Sequence, residues 1–271
     1  MGELLALASA LCFGLTHFVN GVLSRRAPGL TISLYAQLGG TAITLLAALC
    51  WPDGTGAGLG WGALSGLGTG IGVAFLYRAM STGALSVVVP VSDVGAVAIP
   101  VLIGLVFLSE RPSALAIAGV VLALPAIWLV SGGSGRATGL RDALIAGAGF
   151  AVQFLGMAPV PVDAGLWPIV LSRVVSVAVI LPLVLGTRTP VRLRPSVAAP
   201  ALIAGAVGSV AIVLYWVAAH RQLVALATVL AALYPAIPVV LGVVLLRERL
   251  RGTQILGVLG AGLAVACIAL G

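Results

Sequence analysis

The chain alternates between long apolar runs and short polar breaks. The runs are about 20 residues long, the length an α-helix needs to cross the hydrocarbon of a bilayer, and the breaks carry arginines, Pro-Gly pairs or glycine clusters. Irregular backbone is unstable where it faces lipid, so the breaks mark the ends of membrane spans. The chain lacks the alternating pattern of barrel strands, so the spans are predicted to be α-helices. Ten spans are predicted, at about 3–24, 31–51, 60–81, 84–108, 112–131, 140–160, 165–186, 196–219, 222–246 and 251–270.

The composition excludes an ordinary soluble domain. Of the 271 residues, 61% are hydrophobic and 8% are charged, and the mean hydropathy is +1.23. Soluble domains have about 45–50% apolar and about 25% charged residues, so this chain lacks the polar surface that would keep it in solution. We therefore expect an all-α integral membrane protein in contact with the lipid bilayer.

The charged residues exclude several classes of function. All 14 basic residues are arginine, and without lysine there is no Walker A loop and no Schiff base to a cofactor, so we expect neither ATP-driven transport by this chain nor a cofactor. The arginines separate apolar runs instead of forming one basic face, so the net charge of +7 does not indicate a nucleic-acid partner. Cys12, Cys50 and Cys267 are too far apart to predict a metal site.

An internal repeat divides the chain into two halves. A shift of 138 residues aligns Ile99-Pro100-Val101 with Ile237-Pro238-Val239, and Glu110-Arg111 with Glu248-Arg249, without a gap. Matches of Pro and Glu-Arg at one shift are improbable by chance, and they predict five-helix repeats at 1–133 and 134–271. Because five is odd, the second repeat must enter the membrane in the opposite orientation. Inverted repeats are typical of transporters, with the substrate site near the midplane where the halves meet.

The end of each half resembles a known family. Residues 101–113 read Val-Leu-Ile-Gly-Leu-Val-Phe-Leu-Ser-Glu-Arg-Pro-Ser, and residues 234–238 and 245–250 read Tyr-Pro-Ala-Ile-Pro and Leu-Leu-Arg-Glu-Arg-Leu. These are similar to the paired signatures of EamA-type transporters in the drug/metabolite transporter superfamily. The resemblance implies a ten-helix secondary transporter that moves small metabolites or drugs, such as amino acids, nucleosides or amphipaths, through a central cavity. Members are often exporters and often proton-coupled.

The arginines also predict an orientation. With a cytoplasmic amino terminus, ten arginines would lie in external loops, and only Arg111 and Arg221 would lie inside. The positive-inside rule disfavours that arrangement. We expect both termini on the non-cytoplasmic side of a bacterial inner membrane.

Asp93 is the leading candidate for coupling or substrate binding. A carboxylate within a span is costly unless it is paired or hydrated, and Asp93 follows Pro90, which removes a backbone donor and can leave carbonyls open towards a cavity. Such a group could load and release a proton. The alternative is that Asp93 reaches the interface or pairs with an arginine.

Arg173 lies about two turns into the seventh span, deeper than an anchoring arginine needs to be. Its guanidinium stays charged and must find a carboxylate, a carbonyl or an anionic substrate. The simplest expectation is an Asp93–Arg173 pair, and the alternative is a substrate carboxylate or phosphate that competes for Arg173.

Further polar and aromatic side chains could line a cavity. His17 and Asn20 share one face of the first span. They could bind substrate or take part in coupling, or they could form ordinary interhelical hydrogen bonds. The other members of this set are Tyr35, Gln37, Gln153, Tyr215 and Tyr234.

Four prolines and the two Glu-Arg turns are candidates for helix kinks and for gating. Pro100 and Pro238 occupy matching positions and are expected, with Pro90 and Pro235, to kink helices around the cavity. Glu110 and Glu248 could be structural turns or a gate that breaks and reforms as the halves move. Overlapping GxxxG spacings at residues 66–72 predict close helix packing.

Rival functions remain open at this point. No HExxH or GxSxG motif is present and the two histidines are far apart, so we do not expect an enzyme. An uptake permease of the same fold and a lipid-handling or scaffold protein are the alternatives to an exporter. The functional unit is expected to be a monomer or a homodimer that binds a small-molecule substrate.

Overall fold

The computed structural model describes residues 2–51, 54–107, 113–130, 138–157, 159–221 and 234–270. Within these ranges the regular structure is helical, and a short 3-10 turn, Val162–Ala164, precedes the seventh helix. The α-helices are α1 (Gly2–Ser24), α2 (Gly29–Cys50), α3 (Leu59–Thr82), α4 (Leu85–Phe107), α5 (Ala114–Val130), α6 (Leu140–Met157), α7 (Trp167–Gly186), α8 (Pro195–Arg221), α9 (Ala236–Val244) and α10 (Gly252–Leu270).

The lengths and the outer surfaces of these helices suit a bilayer. In the described residues, six helices are long and apolar enough to cross a membrane, namely α1, α2, α3, α6, α7 and α8, and α4, α5 and α10 contain shorter apolar stretches. Large apolar side chains such as Leu46, Leu124 and Leu256 are exposed on the outside. A soluble protein would bury such a surface, whereas lipid can cover it. The all-helical membrane fold predicted from the sequence is confirmed.

One boundary differs from the prediction, and another is only partly described. The sixth span was expected to reach residue 160, but α6 ends at Met157. Pro159 and Pro161 explain the difference, because the residue before a proline is disfavoured in helical conformation. For the ninth span, the structure describes only the part from residue 234 onward, and residues 222–233 lie outside the described residues.

The two halves pack mainly on each other, in exchanged pairs. Three contacts between the halves each have a counterpart in which the equivalent helices exchange places. The α1–α8 contact matches α6–α3, the α2–α8 contact matches α7–α3, and the α4–α6 contact matches α9–α1. The pairs α2–α7, α4–α9 and α5–α10 join equivalent helices directly. This pattern is that of two five-helix repeats related by a pseudo-twofold axis, so the interior lies between the repeats.

Glycines in α3 allow close contacts of this kind. A Cβ at Gly66 would lie 2.8 Å from the Val175 Cβ and would overlap the Ser172 carbonyl on α7. A Cβ at Gly72, on another face, would lie 2.6 Å from the Phe150 ring on α6. The predicted role of the GxxxG spacings is therefore confirmed, since α3 is held between two helices of the other repeat.

One end of the helix bundle is held by ion pairs between loops. Arg25, after α1, pairs with Glu248, before α10. Arg78, near the end of α3, donates from Nε and Nη2 to the two carboxylate oxygens of Asp142 on α6, both at 2.7 Å. We call this end the arginine face, because the loops α1–α2, α7–α8 and α9–α10 place most of the arginines of the described residues there.

The opposite end, which carries both chain termini, is held by backbone hydrogen bonds. The Thr55 amide, between α2 and α3, donates to the Asp163 carbonyl at 2.9 Å, and the Gly56 amide donates to the Ala164 carbonyl at 3.3 Å. We call this end the terminal face. Both ends of the bundle are thus joined by contacts between the two repeats.

Candidate functional site

Buried polar side chains form a continuous band through the interior, between the two repeats. All but Tyr234, which is half-buried, are buried in an otherwise apolar core. We call this set the polar band, and its members are His17, Asn20, Gln37, Tyr77, Asp93, Arg173, Ser176, Ser209 and Tyr234.

His17 is enclosed by aromatic rings from four helical segments. Its ring lies 5.4 Å from Tyr234, 6.2 Å from Tyr77, 6.2 Å from Phe150 and 6.4 Å from Phe13, measured between centroids. The residue is seven positions before the end of α1, which places it about 10 Å from the arginine face at 1.5 Å per residue. His17 therefore lies in the interior, as predicted, where the two repeats meet.

Tyr234 joins His17 to Asp93. The Tyr234 hydroxyl donates to the carboxylate of Asp93, and Asp93 is 3% exposed, eight residues into α4. Tyr234 can approach α1 because position 14 is glycine, where a Cβ would lie 2.8 Å from the Tyr234 carbonyl. The carboxylate thus has a neutral phenol as its partner.

Asn20 and Tyr77 continue the band towards the seventh helix. The Asn20 amide donates from Nδ2 to the Tyr77 hydroxyl at 3.2 Å. Tyr77 is 1% exposed and lies within electrostatic range of the Arg173 guanidinium. The two ends of the band are therefore joined through Tyr77.

Arg173 bonds to Gln37, and the expected Asp93–Arg173 pair is wrong. The guanidinium donates from Nη1 to the Gln37 Oε1 at 3.0 Å, and the Ser176 hydroxyl donates to the same oxygen at 2.9 Å. Both Asp93 and Arg173 lie in the described part of the chain, where the ion pairs are Arg25–Glu248 and Arg78–Asp142. The physical reason is that α2 packs directly on α7. This packing places the amide oxygen of Gln37 next to the Arg173 guanidinium.

Four buried polar atoms lack a hydrogen-bond partner among the described residues. They are His17 Nδ1, Asn20 Oδ1, Arg173 Nε and Ser209 Oγ. Buried polar groups without partners cost roughly 1–3 kcal/mol each, and more when charged. Because all four belong to the polar band, this part of the interior is suited to a polar ligand or to water.

The remaining predicted cavity residues lie apart from the band. Gln153 accepts the Thr69 hydroxyl at 2.7 Å, which joins α6 to α3. Tyr35 is half-buried against the main apolar core, and Tyr215 packs beside the small cluster of Ala6 and Ala218. These contacts are explained by helix packing.

The prolines occupy different structural positions. Pro90 and Pro100 lie within α4, whereas Pro235 caps α9 and Pro238 falls in its first turn. A proline in the first turn removes no helical hydrogen bond, because that amide has no partner in the helix. The expectation that Pro238 kinks its helix as Pro100 does is therefore not met within α9.

Glu248 caps a helix in addition to forming an ion pair. Its carboxylate accepts the Leu85 amide at 3.1 Å, the Ser86 amide at 3.1 Å and the Ser86 hydroxyl at 2.6 Å, and it pairs with Arg25. Burial alone would raise the pKa of Glu248, but the hydrogen bonds from Ser86, Arg25 and Leu85 outweigh burial and hold that pKa below its usual value. Glu110 lies outside the described residues.

Sequence reasoning missed Tyr77, Ser176 and Ser209 as members of the band. Tyr77 is next to Arg78 near the end of the third predicted span, and a phenol inside an apolar run is a usable signal. Serines are common in membrane helices, so their positions alone gave no signal. In the described residues no group of three or more His, Cys, Asp or Glu side chains could hold a metal ion.

Comparisons with known proteins agree with this architecture. The model of the EamA-like transporter family matches residues 1–132 and again residues 138–270. One solved structure, titled only as the crystal structure of a protein, is similar with a TM-score of 0.62 and 18% sequence identity, and covers 98% of this chain and 96% of that chain. At that identity the likeness concerns the fold alone. No curated protein matches the sequence.

Proposed function

The chain belongs to the EamA-like transporter family, and from that premise we propose that it is a proton-coupled exporter of small metabolites or drug-like amphipaths. A transporter of this superfamily needs a polar site inside the membrane that both faces can reach in turn. The polar band supplies such a site, and it lies within one chain, so a monomer can carry the function.

The observation that carries the proposal is the set of four polar atoms between the repeats that have no hydrogen-bond partner among the described residues. Polar groups in a membrane interior are costly, and a scaffold protein would be expected to satisfy them with each other. Unsatisfied donors and acceptors in the band favour a protein that receives a polar solute there and releases it.

Asp93 is the proposed proton carrier. Its hydrogen-bond partner is the neutral Tyr234, and the imidazole of His17 lies beside that phenol. Protonation of Asp93 removes a charge from the interior and converts an acceptor into a donor, so it changes both the cost of burial and the hydrogen bonding of Tyr234. The other charged or titratable groups of the band are Tyr77 and Arg173.

The repeats, divided at 133/134, are the proposed moving units, with Glu248 and its contacts as a gate at the arginine face. We place the arginine face in the cytoplasm and both termini outside, because the positive-inside rule favours that orientation. If a reporter that works only in the cytoplasm is active when it is fused after Gly271, this orientation is wrong.

The proposal is tested by transport in proteoliposomes. Purified protein is assayed against amino acids, nucleosides and cationic amphipaths, with and without a pH gradient. Asp93→Asn should remove the part of the flux that depends on the pH gradient. The matched control is Asp163→Asn, since Asp163 is exposed at the terminal face, and it should transport like the unaltered protein.

Two results would count against the proposal. Flux that keeps its pH dependence in Asp93→Asn would exclude Asp93 as the proton carrier. If no solute moves under any gradient while the protein stays folded, a lipid-handling or scaffold function would be favoured.

A further inference from the structure

We infer that two loops at the arginine face form a docking surface for anionic phospholipids of the surrounding bilayer. The loops are residues 188–194, between α7 and α8, and residues 246–251, between α9 and α10, and we call them the arginine loops. Such a surface contacts the lipid around the protein, so it is independent of the solute that the protein moves.

Side-chain exposure alternates along the second arginine loop. Leu246 and Leu250 are half-buried against the main apolar core, and Glu248 between them caps α4. The other three positions are exposed, and all are arginine: Arg247, Arg249 and Arg251. Because the inward side chains anchor the loop, the guanidinium groups are held on its outer side. Alternate residues of an extended chain are about 7 Å apart, so two neighbouring guanidinium groups can contact one phosphate.

The first arginine loop is built in the same way. Leu193 packs against the main apolar core, and Arg192 and Arg194 on either side of it are exposed. The Thr31 hydroxyl, in the first turn of α2, donates to the Pro190 carbonyl at 2.7 Å. This bond ties the loop to the other repeat, so its arginines are also presented from a fixed backbone.

The positive charge of the arginine loops is not balanced by acidic side chains. The acidic residues described at this face are Glu248 and Asp142, and they pair with Arg25 and Arg78, which lie outside the loops. Six arginines of the loops form no ion pair among the described residues, namely Arg188, Arg192, Arg194, Arg247, Arg249 and Arg251. A cluster of this size next to membrane helices is typical of surfaces that attract anionic lipids.

The arginine loops lie at the depth of the lipid headgroups. Arg194 directly precedes α8, Arg251 directly precedes α10, and α7 ends at Gly186, two residues before Arg188. With 20 residues, α7 is about 30 Å long, which equals the thickness of the hydrocarbon core. The loops at the helix ends therefore fall where acyl chains meet headgroups.

Exposed apolar side chains adjoin both arginine loops and favour a lipid over a soluble anion. Leu185 lies near the end of α7, Leu245 directly precedes the second loop, and Leu256 lies near the start of α10. A guanidinium matches two phosphate oxygens with parallel hydrogen bonds. A phospholipid can make that contact and also place its acyl chains on these leucines. A nucleic acid or an acidic peptide has no counterpart for the apolar surface.

Lipid binding is measured by native mass spectrometry of the full-length protein in a nonionic detergent. The probes are phosphatidylglycerol and phosphatidylcholine with identical acyl chains. We expect phosphatidylglycerol to bind about 5- to 25-fold more tightly, at about 5-fold for each of one or two arginines near its phosphate. The preference should shrink as the salt concentration is raised, because these charges are exposed and are screened.

Two double variants test the arginine loops separately. Arg249→Gln with Arg251→Gln removes two guanidinium groups from the second loop, and Arg192→Gln with Arg194→Gln removes two from the first. All four side chains are exposed, so the fold should be retained, and either variant that folds is sufficient for the test. Each should lose a large part of the preference for phosphatidylglycerol, at about 5-fold for each arginine that contacts the lipid.

The matched control changes the same charge outside the arginine loops. Arg141→Gln with Arg221→Gln removes two arginines, from α6 and from the end of α8, and should keep the preference of the unaltered protein. Arg188 and Arg247 are left unaltered in all variants. Their φ angles of 52° and 53° lie in the left-handed region, where a substitution would also change backbone strain.

Three results would overturn the inference. The first is equal binding of phosphatidylglycerol and phosphatidylcholine to the unaltered protein. The second is an equal loss of preference in the control and in the loop variants, because net charge would then explain the binding. The third is displacement of phosphatidylglycerol by glycerol 3-phosphate or by a short oligonucleotide, which would indicate a site for soluble anions.

Discussion

Replacing Glu248 with glutamine tests how the arginine face is held closed. The carboxylate accepts three hydrogen bonds from the start of α4, at 2.6–3.1 Å, and pairs with Arg25. The amide of glutamine keeps one acceptor oxygen and presents two donors where the second oxygen was. About half of the charge-assisted contacts are therefore lost.

The expected loss of stability follows from these contacts. A hydrogen bond to a charged group contributes about 1.5–3 kcal/mol, but these contacts are partly exposed and share one carboxylate, so we expect about 2–3 kcal/mol for Glu248→Gln. The side chain of Arg25 is 33% exposed, and a pair of that kind contributes about 1 kcal/mol or less. Glu248→Gln should therefore cost more than Arg25→Gln.

Thermal unfolding of purified protein measures this order. At about 2–4 °C per kcal/mol for a chain of this size, Glu248→Gln should lower Tm by about 4–12 °C. Arg25→Gln should lower Tm by less than about 4 °C. Arg26→Gln is the matched control, since Arg26 has the same charge one position along and is exposed, and it should leave Tm unchanged. If Glu248→Gln and Arg26→Gln unfold at the same temperature, the carboxylate does not cap α4.

The pH dependence of the same measurement has a defined sign. The pKa of Glu248 is lower in the folded protein than in the unfolded chain, so its stabilisation is complete above the unfolded pKa, about 4.3, and is lost as pH falls through the folded pKa. The Tm difference between the unaltered protein and Glu248→Gln should be constant from pH 8 to about pH 5.5 and should shrink below about pH 4. A difference that changes between pH 6 and pH 8 would show that another group controls this contact.

Two further predictions concern packing and charge balance. Gly66→Ala should destabilise the fold, because its Cβ would overlap α7. Gly60→Ala on the same helix is the control, since its Cβ meets nothing within 4 Å, and it should be neutral or slightly stabilising. Equal effects of the two variants in a melting assay would refute the packing argument. Export that exchanges one inward proton on Asp93 for one neutral solute moves one positive charge inward per cycle, so transport in proteoliposomes should respond to an imposed membrane potential. A flux of neutral solute that ignores the membrane potential would contradict that exchange.

The helices were largely predictable because the bilayer sets their length and because polar breaks are unstable in lipid. The end of α6 was missed because Pro159 lies inside an apolar run and was not given its full weight as a helix terminator. The deep positions of Asp93, Arg173 and His17 were also predictable, since an ionisable group in a span is rare and costly.

Contacts between these residues were not predictable in the same way. A long side chain such as that of Arg173 can reach partners on several helices, and the packing of α2 on α7 decides that it reaches Gln37. Ser209 gave no signal because a lone serine in a membrane helix usually bonds to its own backbone. Only the packing of α8 against Gly40 shows that its hydroxyl lies near the Arg173 side chain.

The separation of Asp93 from Arg173 is what makes a binding function possible. A direct ion pair would satisfy both charges, and a ligand would then have to break it, at a cost of several kcal/mol in a low-dielectric interior. Instead, each charge has a neutral partner, Tyr234 for the carboxylate and Gln37 for the guanidinium. Tyr77 bonds to Asn20 and lies within electrostatic range of Arg173. Under the proposed function, a proton can therefore bind Asp93 without breaking the contact between Arg173 and Gln37.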